Sequence, residues 1–275
     1  MIVVTGATGN VGRPLVRALV SAGEQVTAVA RKASAADLPA GIRSVDADLA
    51  EPATLKAALD GAEALFLLLS GELLATGGDP RGILDVAREA GVRRVVFLSS
   101  QGVATGRHPA HLEETVTASG MDWTVLRPGG FHSNALLWAD AVRTRRLVAA
   151  PFGDVALPTV DPADIAEVAA AALRYAVHSG ATYELTGPAP ISPRQQVAAI
   201  EDALGEPVRF VEQTRVEARE QMLRFMPEPV VEATLGILGA PFAAEQRLSP
   251  DVERILGRPA RPFADWAARN VAAFR

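Results

Sequence analysis

Apolar positions along the chain switch repeatedly between the two periods that mark strands and helices. Ile2, Val3 and Val4 form a contiguous β-branched run, the pattern of a strand buried on both faces. Val11, Leu15, Leu19 and Val20 then recur at helical spacing and stop at Gly23, which suits a helix C-terminus. The alternation continues. Residues 25–30, 42–45, 63–69 and 93–99 read as short buried strands, and 52–59 and 81–90 as helices closed by Gly61 and Gly91, with Asp79 and Pro80 as N-cap and N1. Strand and helix following one another about every 30 residues predict a parallel, doubly wound α/β sheet, the Rossmann arrangement, whose ligand crevice lies at the carboxyl ends of the strands.

Further on, 108–119 reads as a helix and 122–126 as a sixth strand. Residues 131–146 read as one helix with Leu136, Leu137, Ala141 and Val142 at core spacing, 163–175 as an alanine-rich helix, and 182–185 as a late strand. Composition changes near Ile191. Ser192 and Pro193 open a helix to Leu204, 208–211 suits a short strand, and the rest is short helical patterns broken by prolines. The expected organisation is a dinucleotide-binding domain over 1–190 and a smaller, mostly helical C-terminal lobe over 191–275 that caps the crevice.

A hydrophobic content of 49% is ample for a core, and with aromatics at only 5% alanine, valine and leucine must do the packing. The net charge of −5, with no dominant Lys/Arg run, argues against a nucleic-acid surface; Arg143, Arg145 and Arg146 suit a solvated helix end. The absence of cysteine excludes disulfides, thiolate catalysis and Cys–zinc sites together. No apolar run approaches the ~18 residues of a membrane span, and Met1 leads directly into a strand without a basic leader. A soluble, cytoplasmic monomer or homodimer without nucleic-acid or membrane partners is expected.

The candidate chemistry begins at Gly6, Gly9 and Gly12, between the first strand and the first helix. Glycine lets the chain turn sharply there, brings backbone N–H groups close to a pyrophosphate, and points the positive helix end at that anion. Arg31 and Lys32 end the second strand, where NAD-binding versions of the fold carry an acid for the ribose 2′-hydroxyl; basic residues suit a 2′-phosphate and favour NADP over NAD. Ser70 and Ser99 to Gln101 also fall at carboxyl ends of strands.

Thr5-Gly6-Ala7-Thr8-Gly9-Asn10-Val11-Gly12 resembles an atypical short-chain dehydrogenase/reductase. Val95-Val96-Phe97-Leu98-Ser99-Ser100, Ser119-Gly120-Met121-Asp122-Trp123-Thr124-Val125-Leu126-Arg127-Pro128-Gly129 and Val160-Asp161-Pro162-Ala163-Asp164-Ile165-Ala166 narrow the resemblance to the NmrA-like branch. That branch holds NADPH-dependent quinone and triphenylmethane-dye reductases as well as non-catalytic redox sensors. The resemblance implies that Gly6, Thr8, Gly9, Asn10, Val11 and Gly12 hold the pyrophosphate, and Arg31 the 2′-phosphate. It implies that Asp48 and Leu49 border the adenine and that Leu69 and Ser70 flank the middle of the cofactor. Ser99 would lie near the nicotinamide ribose, Pro128 and Gly129 by the nicotinamide, and Phe131, His132 and Asn134 on the substrate side, where capping of the following helix competes for His132 and Asn134. Trp138, the remaining substrate-side candidate, reads as core or pocket wall more than as a stacking platform.

The chain departs from most short-chain dehydrogenases in having no Tyr-x-x-x-Lys pair: its two tyrosines, Tyr175 and Tyr183, lack that lysine and lie too late. Without the pair, alcohol–ketone interconversion loses its usual proton donor. The expected activity is NADPH-dependent reduction of a small, apolar or aromatic acceptor, such as a quinone, by direct hydride transfer. A redox sensor that binds NADP(H) without turnover, and a biosynthetic reductase or isomerase, stand as alternatives. Ser99 and His111 are the catalytic candidates, each competing with a plain structural role. His108, His111 and Glu114 share a spacing that could bind a metal, but Pro109 makes His108 a boundary residue, and no metal site is expected.

Overall fold

The computed structural model describes residues 1–31, 38–69, 71–75 and 77–275. Among these the elements run β1 (Ile2–Thr5), α1 (Gly12–Ser21), β2 (Val26–Val29), β3 (Arg43–Val45), a 3-10 turn (Pro52–Leu55) continuing into α2 (Lys56–Leu59), β4 (Ala64–Leu67), α3 (Gly71–Ala75), α4 (Arg81–Glu89) and β5 (Arg94–Leu98). Then follow α5 (Gln101–Ala104), α6 (His111–Thr117), β6 (Asp122–Pro128), a 3-10 helix (His132–Trp138), α7 (Ala139–Arg145), β7 (Leu147–Pro151), α8 (Pro162–Arg174) and β8 (Ala181–Leu185). The last elements are α9 (Pro193–Leu204), β9 (Arg209–Gln213), α10 (Arg215–Met222), α11 (Glu228–Gly239), α12 (Asp251–Leu256) and α13 (Phe263–Arg269).

Two compact units emerge. The first comprises Met1–Pro128, Pro162–Leu185 and Arg254–Gly257; the second comprises Gly129–Asp161, Thr186–Glu253 and Arg258–Arg275. The first unit is the doubly wound sheet expected from the apolar pattern, seven parallel strands in the order β3-β2-β1-β4-β5-β6-β8. Its central strands β1, β2, β4 and β5 are buried on both faces because helices cover both, while edge strand β3 is largely exposed. Val3, Leu65, Leu67, Val95, Phe97 and Val125 share a core with Leu55, Leu59, Ile83, Leu84, Ala87 and Val116 from the helices. The opposite face carries α1 and α8, which pack on each other. Arg174 Nε on α8 donates to Glu24 Oε1 at 3.0 Å beyond the end of α1, and Arg94 Nη1 on β5 donates to the Leu173 carbonyl at 2.7 Å.

The strand order reverses at β1, which lies between β2 and β4. Loops after neighbouring strands diverge at such a point and leave a crevice over their carboxyl ends.

The second unit has its own core, in which Ala135, Val142, Val148 and Ala150 pack with Val197, Ile200, Val208, Phe263, Trp266 and Phe274. It carries a two-stranded parallel sheet, β7 beside β9. β7 has no clear signal in the sequence, since Ala149, Ala150 and Pro151 are weak strand formers. Nor is 131–146 one helix: Ser133 and Asn134 favour local hydrogen bonds over helix propagation, and a 3-10 segment precedes α7. Where the composition shift suggests a single junction near residue 190, the chain instead passes between the units five times, and the second unit begins at Gly129.

Candidate functional site

In the first unit, β1 delivers the chain into a tight turn whose shape rests on two glycines. Gly6 adopts φ +62°, a left-handed conformation that side chains disfavour. At Gly12 the reason is contact: a Cβ there would sit 2.1 Å from the Gly6 carbonyl oxygen and 2.8 Å from Ala7 Cα. Only a residue without a side chain lets α1 begin so close under the turn. Gly9 N donates to Gly6 O at 2.9 Å and closes the loop, while Gly9 and Asn10 lie exposed and Val11 is buried beneath them. Thr5 Oγ1 ties the turn to the neighbouring strand, donating to Phe66 O at 3.0 Å and accepting from Leu68 N at 2.8 Å.

The N-terminus of α1 has neither a side-chain cap nor an acidic residue in its first turn. Its leading N–H groups and helix dipole therefore present a positive end that no side chain of the helix's own first turn neutralises. Arg13 adds a cation in that same turn, against the usual dipole preference, and its Nη2 braces the loop by donating to Thr8 O at 3.1 Å. A backbone turn that a Cβ would fill, facing an uncapped helix start with an added guanidinium, fits a pyrophosphate. Arg13 is absent from the sequence-derived candidates; a cation at a helix N-terminus directly after the third glycine was the available signal.

Arg31 follows β2 and is exposed; Lys32 and Ser70 lie outside the described residues. Asp48 is spent locally, its Oδ1 accepting from Ala50 N at 2.9 Å and its backbone engaging Thr54 Oγ1, while Leu49 is half-buried against the core. Leu69 is buried in the core, so its backbone alone is free to border the crevice.

Three side chains converge at the carboxyl ends of β5 and β6. Ser99, held by a backbone bond from its N–H to Leu126 O, donates its hydroxyl to Glu113 Oε1 at 2.5 Å. Arg127 grips the same carboxylate with two nitrogens: Nε lies 3.0 Å from Oε1 and Nη2 lies 2.5 Å from Oε2. On the other side, Arg127 is in register with Glu184 of β8. The hydrogen bond to Glu113 raises the Arg127 pKa above its ordinary value, outweighing burial, and the charges of Glu113 and Glu184 add to it. Ser100, by contrast, caps α5 by accepting from Gly102 N.

His111 is not brought into this group. It is exposed at the start of α6, and two residues along a helix of 3.6 per turn place it about 200° round the axis from buried Glu113. His108 lies before α6, its N–H bonded to Gly102 O. Among the described residues no three His, Asp or Glu side chains are grouped to hold a metal ion. Tyr183 is buried with its hydroxyl 2.9 Å from His178 Nδ1, and Tyr175 lies beneath the Arg174 guanidinium.

The residues expected on the substrate side belong to the second unit and divide there. His132 is 1% exposed, with Nε2 2.8 Å from Thr159 O and its ring edge-on to Phe263 at 5.2 Å. This corrects the expectation: His132 is a core residue, its ring consumed by aromatic packing. Trp138 is partly buried against that core, whereas Asn134 is exposed and Phe131 half-buried. Asp161, almost fully buried, pairs with Arg269.

Residues 6–176 match the model of a family described as NAD(P)H-binding. The chain is 37% identical to the (4-alkanoyl-5-oxo-2,5-dihydrofuran-3-yl)methyl phosphate reductase of Streptomyces griseus, over all of this chain and 99% of that protein. It is 35% identical to the NAD(P)H azoreductase of Xenophilus azovorans, again over all of this chain and 99% of the relative. Among solved structures it superposes with TM-score 0.80 on the Escherichia coli NADPH-dependent quinone oxidoreductase in complex with NADPH, at 25% identity, covering 98% of this chain and 99% of that one. No helix of the described residues is long and apolar enough to cross a membrane.

Proposed function

The chain belongs to the NAD(P)H-binding family and is an NAD(P)H-dependent oxidoreductase, and from that premise we propose that it uses NADPH to reduce a small conjugated acceptor by direct hydride transfer. The observation that carries the cofactor reading is the turn at Gly6–Gly12, where backbone alone fits between β1 and α1. Its N–H groups, with Thr8, Asn10 and Val11 in the loop and Arg13 behind, hold the pyrophosphate. Arg31 takes the 2′-phosphate, which is what favours NADPH over NADH. Asp48 and Leu49 border the adenine through backbone and apolar surface. Ser99 and Pro128, at the ends of β5 and β6, meet the nicotinamide half, and Gly129 continues from them.

When bound, the dihydronicotinamide supplies a hydride; this chain's residues bind and orient. The sequence has no Tyr-x-x-x-Lys pair to supply an acid, and of its two tyrosines Tyr183 is bonded to His178 and Tyr175 follows the end of α8. A substrate that needs a side-chain proton during the hydride step is poorly served here. An acceptor whose charge is delocalised, and which takes its proton from water, is well served. The relatives' activities fit this chemistry, because an acyl-dihydrofuranone and a quinone conjugate the accepting atom with a carbonyl, and an azo compound accepts at a nitrogen of its own N=N bond.

Purified protein should oxidise NADPH, followed by loss of dihydronicotinamide absorbance, with at least one member of a panel of quinones, azo and triphenylmethane dyes and acyl-furanone phosphates. NADPH binding without turnover on the whole panel would sink the reductase reading and favour a redox sensor.

A further inference from the structure

Glu113 and Arg127 have no part in the reading above, yet both are drawn into the first unit at the end of β5 and β6. An ionised carboxylate can only accept hydrogen bonds. Glu113 accepts from Arg127 Nε and Nη2, and in the 2.5 Å contact it accepts from the Ser99 hydroxyl as well. The length is that of a charge-assisted O–H···O⁻ bond. Arg127 cannot swing away without leaving Glu113 buried without its ion-pair partner, and the charge of Glu184, its register partner on β8, favours the guanidinium there as well. Ser99 itself is fixed by its N–H bond to Leu126 O at 2.8 Å. Its hydroxyl proton is therefore committed inward, and lone pairs are all it offers to the crevice.

We propose that the Glu113–Arg127 ion pair is a positioning device that locks Ser99 as a hydrogen-bond acceptor, so that Ser99 orients the nicotinamide half of the cofactor and does not protonate the product. The carboxamide N–H and the ribose hydroxyls of that half are donors that match it; an acceptor carbonyl is not. The inference rests on the NADPH reading, and it makes Ser99 specific to one end of the dinucleotide.

Affinities for two ligands test it: NADPH, and 2′-phospho-ADP, which keeps the phosphates and adenine but lacks both the nicotinamide and its ribose. Calorimetric titration of Ser99→Ala should show NADPH binding weakened about five- to tenfold, the scale of one hydrogen bond, with the fragment within about twofold of wild type. Glu113→Gln should show the same selective loss, and the double variant should be no weaker than Glu113→Gln alone, because the two residues act as one unit. Ser99→Thr, which keeps the hydroxyl, should restore NADPH affinity. Ser99→Ala removes one oxygen and leaves the ion pair intact, so it carries the test by itself should Glu113→Gln not fold. Equal weakening of both ligands would overturn the proposal in favour of a purely structural pair. So would NADPH affinity unchanged in Ser99→Ala while kcat collapses, since Ser99 would then be the acid. Wild-type protein that binds neither ligand would bring down the cofactor reading and the proposal together; wild-type binding with any of the other contrary results overturns the proposal alone.

Discussion

Three alanine substitutions in the first turn should separate according to what each Cβ meets. At Gly12 the added carbon would lie 2.1 Å from Gly6 O and 2.7 Å from Gly6 C, both backbone. An ordinary C···O contact is about 3.3 Å, so α1 and the loop must part by about 1 Å. Overpacking of that kind costs about 1–3 kcal/mol, or roughly 2–5 °C in Tm for a chain of this size. The same shift moves the leading N–H groups away from the anion. Losing one or two charge-assisted bonds of about 1.5–3 kcal/mol each weakens NADPH binding by on the order of 10- to 10,000-fold. At Gly6 the clash is with Leu68 Cδ2 at 2.7 Å, the end of a flexible side chain, and the cost is mainly the φ of +62°, about 1–2 kcal/mol. At Gly9 the nearest atom is Gly6 O at 3.2 Å, and the position is exposed. Fluorescence titration of NADPH with parallel thermal melts should rank the losses Gly12→Ala, then Gly6→Ala, then Gly9→Ala. A Gly12→Ala protein that binds NADPH within about twofold of wild type would refute the reasoning.

Arg31→Ala should weaken NADPH about tenfold or more, on the scale of a charge-assisted bond, and leave NADH unchanged; equal effects on both would remove Arg31 from the 2′-phosphate. Burial, with Arg94 as a second cause, lowers the His178 pKa below its ordinary 6.5. Below about pH 6.5 the unfolded chain then takes up a proton that the folded one refuses, so stability falls as pH drops through that value. His178→Gln should flatten the Tm profile between about pH 7.5 and 5.5, a window above that of the lowered carboxylates Asp154, Glu217 and Glu232; an unchanged slope would contradict this. Arg269→Ala strips the ion-pair partner from Asp161, which is 2% exposed. It should cost about 2–3 kcal/mol in urea unfolding, and a loss below about 0.5 kcal/mol would show the pair to be dispensable.

What could be read from the sequence was whatever local pattern alone dictates. The apolar run at Ile2–Thr5 and the glycine spacing that follows need no tertiary knowledge, because strand burial and close backbone approach select those residue types wherever they occur. Register and long-range pairing leave no such trace. Nothing local reveals that Glu113, on a helix with exposed His111 and Glu114, turns inward to Arg127 fourteen residues away. His132 misleads for the same reason: a histidine after a Gly-Gly turn looks available, and only Phe263 and Trp266, far along the chain, take it into a core. β7 was hidden because its strand character comes from its partner β9, not from its alanines.

The interleaving of the two units bears on how the polypeptide can be made and altered. Ala135, Val142, Val148 and Ala150 are synthesised early, but the core they enter is completed by Trp266 and Phe274. During translation those early residues wait, apolar and uncovered, for more than a hundred residues of further chain, a period in which aggregation competes with folding. A product cut near residue 190 would strand them permanently. Exchanging the second unit between relatives therefore means replacing three separate stretches of the gene in concert, because a single splice at the compositional boundary would divide its core between two parents.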